Sequence, residues 1–220
     1  EYYKTSWGMV YGGYDTESGA GAEMMQIAKY GGFYVARYEA GLADTITEYT
    51  GNQIASSSIY NLEGISKSKV GELPWVFISY TNSKANAEKM YANNDYVTSG
   101  LITGTQWDVM LNRFIGTTND NGVTFTEIDM KNSSKWGNHA GSAITYTGRS
   151  ATIFQSGSSW YISPWGAKQT DAKTATYTEY TTGASKKTEA YHTYDVAGNV
   201  WEWTEEVGQG TAYRVIRGGS

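Results

Sequence analysis

Residues 195–206 read DVAGNVWEWTEE and, beyond a VGQGTAY link at 207–213, residues 214–220 read RVIRGGS. The first segment gives a tight turn running into a WEW strand, the second a short strand closed by glycines. Two such neighbouring segments predict an antiparallel hairpin. On that strand Trp201 and Trp203 share one face, expected in the core, and the Glu202 carboxylate points the other way. Asn199 is read as stabilising the turn.

The same turn carries the chain's best candidate for metal chemistry. The spacing of Asp195, Gly198, Val200 and Glu202 lets a turn aim two carboxylates and two backbone carbonyls at one point, the hard-oxygen environment that calcium prefers. A second reading stands beside it. Asp195 caps the turn and Glu202 forms a salt bridge with Arg214 or Arg217, within an ion-pair network of Arg37, Glu39, Arg214 and Arg217 that fixes the sheet.

Outward from the hairpin, TGTQWDVMLNRFIG at 103–116 sets Trp107, Met110, Leu111, Phe114 and Ile115 at helical spacing. Thr103 with Gln106 three residues on forms a capping box, so a helix is predicted there. PWVFISY at 74–80 reads as the most apolar strand, followed by a helix over about 82–92 that carries Ala87, Met90 and Tyr91. Phe33, Val35 and Tyr38, interleaved with Arg37 and Glu39, predict a strand ended by Gly41. Glu23 to Tyr30 reads as the end of a short helix stopped by Gly31 and Gly32. Residues 42–68 read as an irregular loop. Residues 116–192, rich in Gly, Ser, Thr, Asn and Lys, read as long loops pinned to the core by Trp136, Trp160, Tyr161 and Trp165.

Composition narrows the chemistry. With no cysteine among 220 residues, disulfides, thiolate metal sites and cysteine nucleophiles are excluded. His139 and His192 are the only histidines, too few for a three-histidine centre in one chain, and no nucleophile or zinc-hydrolase motif accompanies them. No catalytic residue is assigned. Lys and Arg total 17 against 22 Asp and Glu, a formal charge of −5 without a basic run, which argues against a nucleic-acid partner. No run of 18 apolar residues occurs, so no membrane insertion is expected. Glu1 is not a start residue, which predicts a further segment upstream. Asn132-Ser133-Ser134 is a glycosylation sequon that needs an export context to mean anything, and no phosphate loop is present. The 19 Tyr and 26 Gly, with many Ser and Thr, are the materials of an adaptable binding surface.

Four segments in order, GGFYVARYEAG at 31–41, PWVFISYTNSKANAEKMY at 74–91, LITGTQWDVMLNRFIG at 101–116, and DVAGNVWEWTEE with RVIRGGS at 195–220, resemble the formylglycine-generating-enzyme-like (sulfatase-modifying-factor) family. The resemblance spans nearly the whole chain. It implies an α+β fold of the C-type-lectin type: two helices, a small twisted antiparallel sheet and long loops, as one domain over 1–220. Members usually continue past the RGGS motif, so it also implies a missing C-terminal segment, or a second chain that completes the sheet.

The family has oxidase branches whose copper-binding cysteines or separate iron-binding histidine domain this sequence lacks. The remaining branch is similar to this chain: the non-catalytic variable proteins of diversity-generating retroelements from gut bacteria and their phages. That likeness implies a non-enzymatic ligand-binding display protein on a cell surface, secreted, or in a phage virion, with a protein or glycan as ligand. The alternatives are a copper- or iron-dependent oxidoreductase completed by a missing domain, or a fixed structural domain of a surface or phage assembly. Asp195, Gly198, Val200 and Glu202 match the oxidase branch's structural calcium site; no cofactor is otherwise required. The expected contact surface combines Gln209, Thr211 and Tyr213 with Trp160, Tyr161 and Trp165.

Overall fold

The computed structural model describes residues 3–4, 10–11, 31–41, 53–54, 64–72, 74–76, 78–139, 142–148, 150–156, 159–162, 172–173, 178–208 and 213–219. Its best-determined helix by sequence is also its central one. Thr103, in extended conformation, accepts the Gln106 amide on its hydroxyl, and the Gln106 side chain accepts the Thr103 amide in return. This capping box starts a helix over Gly104–Phe114, which buries Thr105, Trp107, Met110 and Phe114 on one face. Leu111 and Ile115 pack at the margin of that face.

The preceding helix, α1, runs Tyr80–Lys89, so the central helix is α2. Ser79 Oγ accepts the Asn82 amide and starts α1 two residues earlier than the apolar spacing predicted. Among the described residues of 74–80 the expected strand is not formed, since its end is taken up by the helix that Ser79 caps. Pro74 makes one bridge to Gly41, Trp75 donates its amide to the Ala40 carbonyl, and the chain then turns into α1. The strand expected over 33–41 is likewise not formed. The Ser68 hydroxyl takes both the amide and the carbonyl of Tyr38, leaving no ladder there, and Tyr34 and Val35 are exposed. The helix expected over 23–30 lies outside the described residues.

The segment read as loops contains regular structure. A third helix, α3, spans Glu127–Lys131 under a capping box of Thr126 and Asp129. Twelve strands are described. They are β1 Tyr3–Lys4, β2 Val10–Tyr11, β3 Gln53–Ile54, β4 Ile144–Thr145, β5 Ser150–Ser156 and β6 Ser159–Ile162, followed by β7 Ala172–Lys173, β8 Thr178–Tyr180, β9 Glu189–Ala190, β10 Thr193–Tyr194, β11 Glu202–Val207 and β12 Arg214–Arg217. β3-β6-β5-β8 form an antiparallel sheet, and β1–β2, β4–β7, β9–β10 and β11–β12 form pairs. Ser- and Thr-rich strands hide from a hydrophobic-period reading, because their apolar residues are too few to define a face. The architecture is thus mixed α+β, with short helices and small open sheets.

β11–β12 is the hairpin read from the sequence, with Glu202 opposite Arg217 and Trp203 opposite Ile216. It docks on both helices. Trp203 donates its indole N–H to the Ile78 carbonyl and meets Tyr80 edge-on, while Glu206 lies beside Gly104 at the start of α2, where the helix dipole favours a carboxylate. Trp201 is 60% exposed and not in the core: it precedes the paired strand, beyond the contact that seats Trp203.

Trp136 is the keystone of the main core. Only 1% exposed, it lies edge-on to Phe114 and Phe125 and donates its N–H to the Asp129 carbonyl at 3.0 Å. Trp107, Met110, Met130, Ala190, Val196 and Ala197 complete the cluster, and a smaller one joins Ile144, Tyr146, Tyr180 and Ala184. Truncating Phe114 strips Trp136 of one ring contact and leaves a cavity. Phe114→Ala is expected to cost about 3–5 kcal/mol of unfolding free energy, measured by urea denaturation; a loss below about 1 kcal/mol would show a core able to collapse around it.

Candidate functional site

The turn at 195–202 sits where the 31–41 segment, β8 and the 136–139 loop converge. Asn199 joins them. Its backbone amide donates to the Asn138 carbonyl, its Oδ1 accepts from the Tyr180 amide and Asn138 Nδ2, and its Nδ2 donates to Glu39 and the Tyr180 carbonyl. Gly198 must be glycine: a Cβ there would lie 2.1 Å from the Asn138 carbonyl oxygen. Gly218, in the RGGS segment, adopts φ 86°, which favours glycine, and it packs against the Glu202 carboxyl, where a Cβ would lie 1.8 Å from Oε2.

Around Asn199 lie four acids, Asp195 and Glu179 buried, Glu39 and Glu202 half-buried with their carboxyl groups turned inward. Asp195 Oδ1 accepts from the Thr188 hydroxyl and Oδ2 from the Gly183 amide, both at 2.6 Å. Glu39 accepts from Asn199 and from the Val200 amide. Glu202 and Glu179 have both carboxylate oxygens buried without a hydrogen-bond partner. Burial raises all four in pKa. Asp195 reaches about 6 against the pull of its two donors, and Glu179 about 8. Glu39 and Glu202 stand well above the carboxylate range, burial being reinforced by the neighbouring acids. Burial thus favours the protonated form at each site, and Glu179, at about 8, is largely a neutral carboxylic acid at neutral pH.

Of the two carboxylates proposed for calcium, Glu202 has both oxygens without a hydrogen-bond partner, whereas each Asp195 oxygen already accepts from a protein donor. Among the described residues no group of three or more His, Asp or Glu side chains is placed to hold a metal. The salt bridge from Glu202 to Arg214 or Arg217 is not formed. Arg217 turns to Glu206 and to Asp108, and Arg214 lies over the Tyr80 ring, because the Glu202 carboxylate is buried over Gly218. Glu39 likewise pairs with Asn199 and not with an arginine. Asp195 does hold its turn, in positive φ and bonded to Thr188 and Gly183.

Of the expected contact surface, Tyr213 is 69% exposed beside the hairpin, with Val207 and Ile216 exposed near it. Trp160 and Tyr161 stand on β6, opposite Gln155 and Phe154. Gln209, Thr211 and Trp165 lie outside the described residues. His139 Nε2 is 2.9 Å from the Ser133 hydroxyl and 3.3 Å from the Ser133 carbonyl, a pairing the sequence did not signal. The ring sits against Gly137, where a Cβ would lie 2.0 Å from Nε2, so it serves to close that turn. His192 is at the tip of the β9–β10 hairpin. No known protein family, curated protein or solved structure matches the chain.

The acids impose a direction on stability. Glu179 is 1% exposed, and its pKa rises from 4.5 unfolded to about 8 folded. Over that interval the unfolded chain releases a proton that the folded chain keeps, so stability is full below about pH 4.5 and is lost as pH rises through about 8. Unfolding free energy is expected to fall by a few kcal/mol across this window, and Glu179→Gln to flatten that fall. A slope identical in wild type and variant would show that Glu179 ionises without cost.

Proposed function

We propose that the chain is a non-enzymatic ligand-binding display domain of the C-type-lectin-like, retroelement-variable type, taking a protein or glycan on a cell or phage target. The single observation that carries this reading is the set of exposed aromatic and apolar side chains along the β11–β12 hairpin. Trp201, just before β11, and Tyr213, just before β12, stand largely in solvent at its two ends with Val207 and Ile216 exposed, on a hairpin held by Trp203, Glu206 and Arg217. Large exposed aromatics on a rigid support are the composition of binding hot spots, because little conformational entropy is lost when they are covered. Support also comes from the character of the buried acids, which are bonded to structural amides or enclosed. Among the described residues no helix is long and apolar enough to cross a membrane.

The test is binding of the labelled protein to glycan arrays and to intact bacterial cells. Trp201→Ala and Tyr213→Ala are each expected to weaken a bound signal at least about tenfold while leaving thermal stability close to wild type. Wild-type binding by both variants would remove this reading and leave a fixed structural role.

Calcium belongs to this proposal as a structural ion at Glu202, where it would supply a partner and a counter-charge to two buried carboxyl oxygens that have none. Calcium is then expected to raise the unfolding midpoint, most at the alkaline end, and Glu202→Gln to abolish the rise. A midpoint indifferent to calcium and to chelator would assign the pocket to protons alone.

A further inference from the structure

Among the described residues, four other than glycine adopt positive φ: Tyr191 at 48°, His192 at 65°, Asp195 at 62° and Asn199 at 65°. Two have a local reason. Asp and Asn tolerate this region, and Asp195 and Asn199 are held in it by the hydrogen bonds already described. Tyr191 has none, and His192, of a residue type that visits this region more than most, has only its amide bond to the Glu189 carboxylate. They are the two-residue connection of the β9–β10 hairpin, in which Ala190 pairs with Thr193. Positive φ at both central residues marks a type I′ turn, whose favoured residues are Asn-Gly. A bulky tyrosine there is strained, and such strain persists only where the surroundings over-determine it.

The surroundings do so. The Glu189 carboxylate accepts the His192 amide from below, and its other oxygen accepts the Asp120 amide at 2.9 Å. Arg113, on the last turn of α2, lies over the Tyr191 ring at 4.4 Å and donates to its hydroxyl at 2.7 Å. The turn is thereby clamped to the central core helix. The turn's own exposed side chains are donors, with the half-exposed Asp120 carboxylate at their edge facing Lys186 at 4.0 Å. Arg113 is exposed and has no carboxylate partner among the described residues. Tyr191 Oη accepts from Arg113, so its own proton is directed elsewhere and is free to donate. The His192 ring, its side chain 78% exposed, is at the tip. Guanidinium, phenol and imidazole together present donors to a partner rich in acceptors, and a carboxylate is the group that takes an arginine and a phenol at once.

We infer that the Tyr191-His192 turn, clamped by Arg113, is a second recognition site that docks an acidic segment of a protein partner. A protein is favoured over a sugar because a two-residue turn tip is a convex feature that inserts into a partner, and Tyr and Arg are its anchors. The site is separate in its residues from the β11–β12 strip and does not depend on the function proposed for that strip.

The test uses the whole chain and three probes: a hexaglutamate peptide, glucuronate, and a neutral hexaglutamine peptide, titrated while backbone amide resonances are followed. Hexaglutamate is expected to shift the Tyr191 and His192 resonances saturably, and hexaglutamine to leave them in place. Arg113→Gln is expected to weaken that binding by about tenfold. The double variant Tyr191→Asn with His192→Gly supplies the residues the turn prefers, so it is expected to raise the unfolding midpoint while losing the hexaglutamate response. That pairing separates recognition from folding, since a merely structural turn would gain stability and lose nothing. Four results would each overturn the inference: no hexaglutamate response, an equal response to hexaglutamine, tighter binding of glucuronate than of the peptide, or a double variant that binds as wild type or is not stabilised.

Discussion

The side chain of Asn199 is the constraint on which the rest of the structure depends. A single amide closes loops spanning 160 residues to Glu39, 61 to Asn138 and 19 to Tyr180, and it does so from a buried position in left-handed conformation. Each closure orders chain that would otherwise retain its entropy, so the bonds must act together with the cores on either side. Asn is the residue that fits. It tolerates positive φ, and it offers two donors and an acceptor, all of which are used here. Aspartate would place an acceptor against the Glu39 carboxylate and the Tyr180 carbonyl; alanine would leave those groups unpaired.

The acids around this amide follow from its donor pattern. Nδ2 serves one oxygen of Glu39, the Val200 amide serves the other, and Asp195 draws on Thr188 and Gly183. Few donors remain nearby for Glu202 and Glu179, which is why burial dominates their titration. Asp129 shows the opposite outcome. Nearly as buried, it accepts from the Thr126 hydroxyl and amide and pairs with Lys135 at 2.9 Å, and its pKa falls to about 2. The donors around Asp129 outweigh its desolvation, whereas at Glu179 desolvation acts alone. Asp129 caps a helix as an anion, while Glu179 fills the interior as an acid inclined to keep its proton.

Legibility in the sequence followed the strength of local rules. The α2 helix was readable to its capping box because Thr103, Gln106 and the apolar spacing all demand the same structure. The β11–β12 hairpin was readable for a similar reason. At 74–80 the alternation of apolar residues predicted a strand, but an isolated alternation does not specify a partner, and Ser79 had a stronger local use as a helix cap. Trp201 and Trp203 read alike as a pair, yet only Trp203 finds the Ile78 carbonyl and the Tyr80 ring. The acid cluster was half visible: Asp195 and Glu202 came from the turn's own spacing, whereas Glu179 lies in a Thr- and Tyr-rich stretch with no pattern to mark it. Its role is set by tertiary burial.

The distribution of strain argues for two kinds of turn within nine residues. At Asp195 and Asn199 the left-handed backbone is matched to side chains that hydrogen-bond inward, and both are buried, so the conformation serves the fold. At Tyr191 and His192 the backbone is held in the same region by groups outside the turn, and the side chains themselves project to solvent. A chain under selection for stability alone gains from Asn-Gly at such a tip, because that pair relieves the conformation without disturbing Glu189 or the ladder. Local rules broken where the fold does not require it are the mark of residues kept for contact. Arg113 strengthens the point: at the end of a core helix, its guanidinium is spent on holding a tyrosine in an unfavourable pose, an arrangement that orders an exposed aromatic in advance of binding.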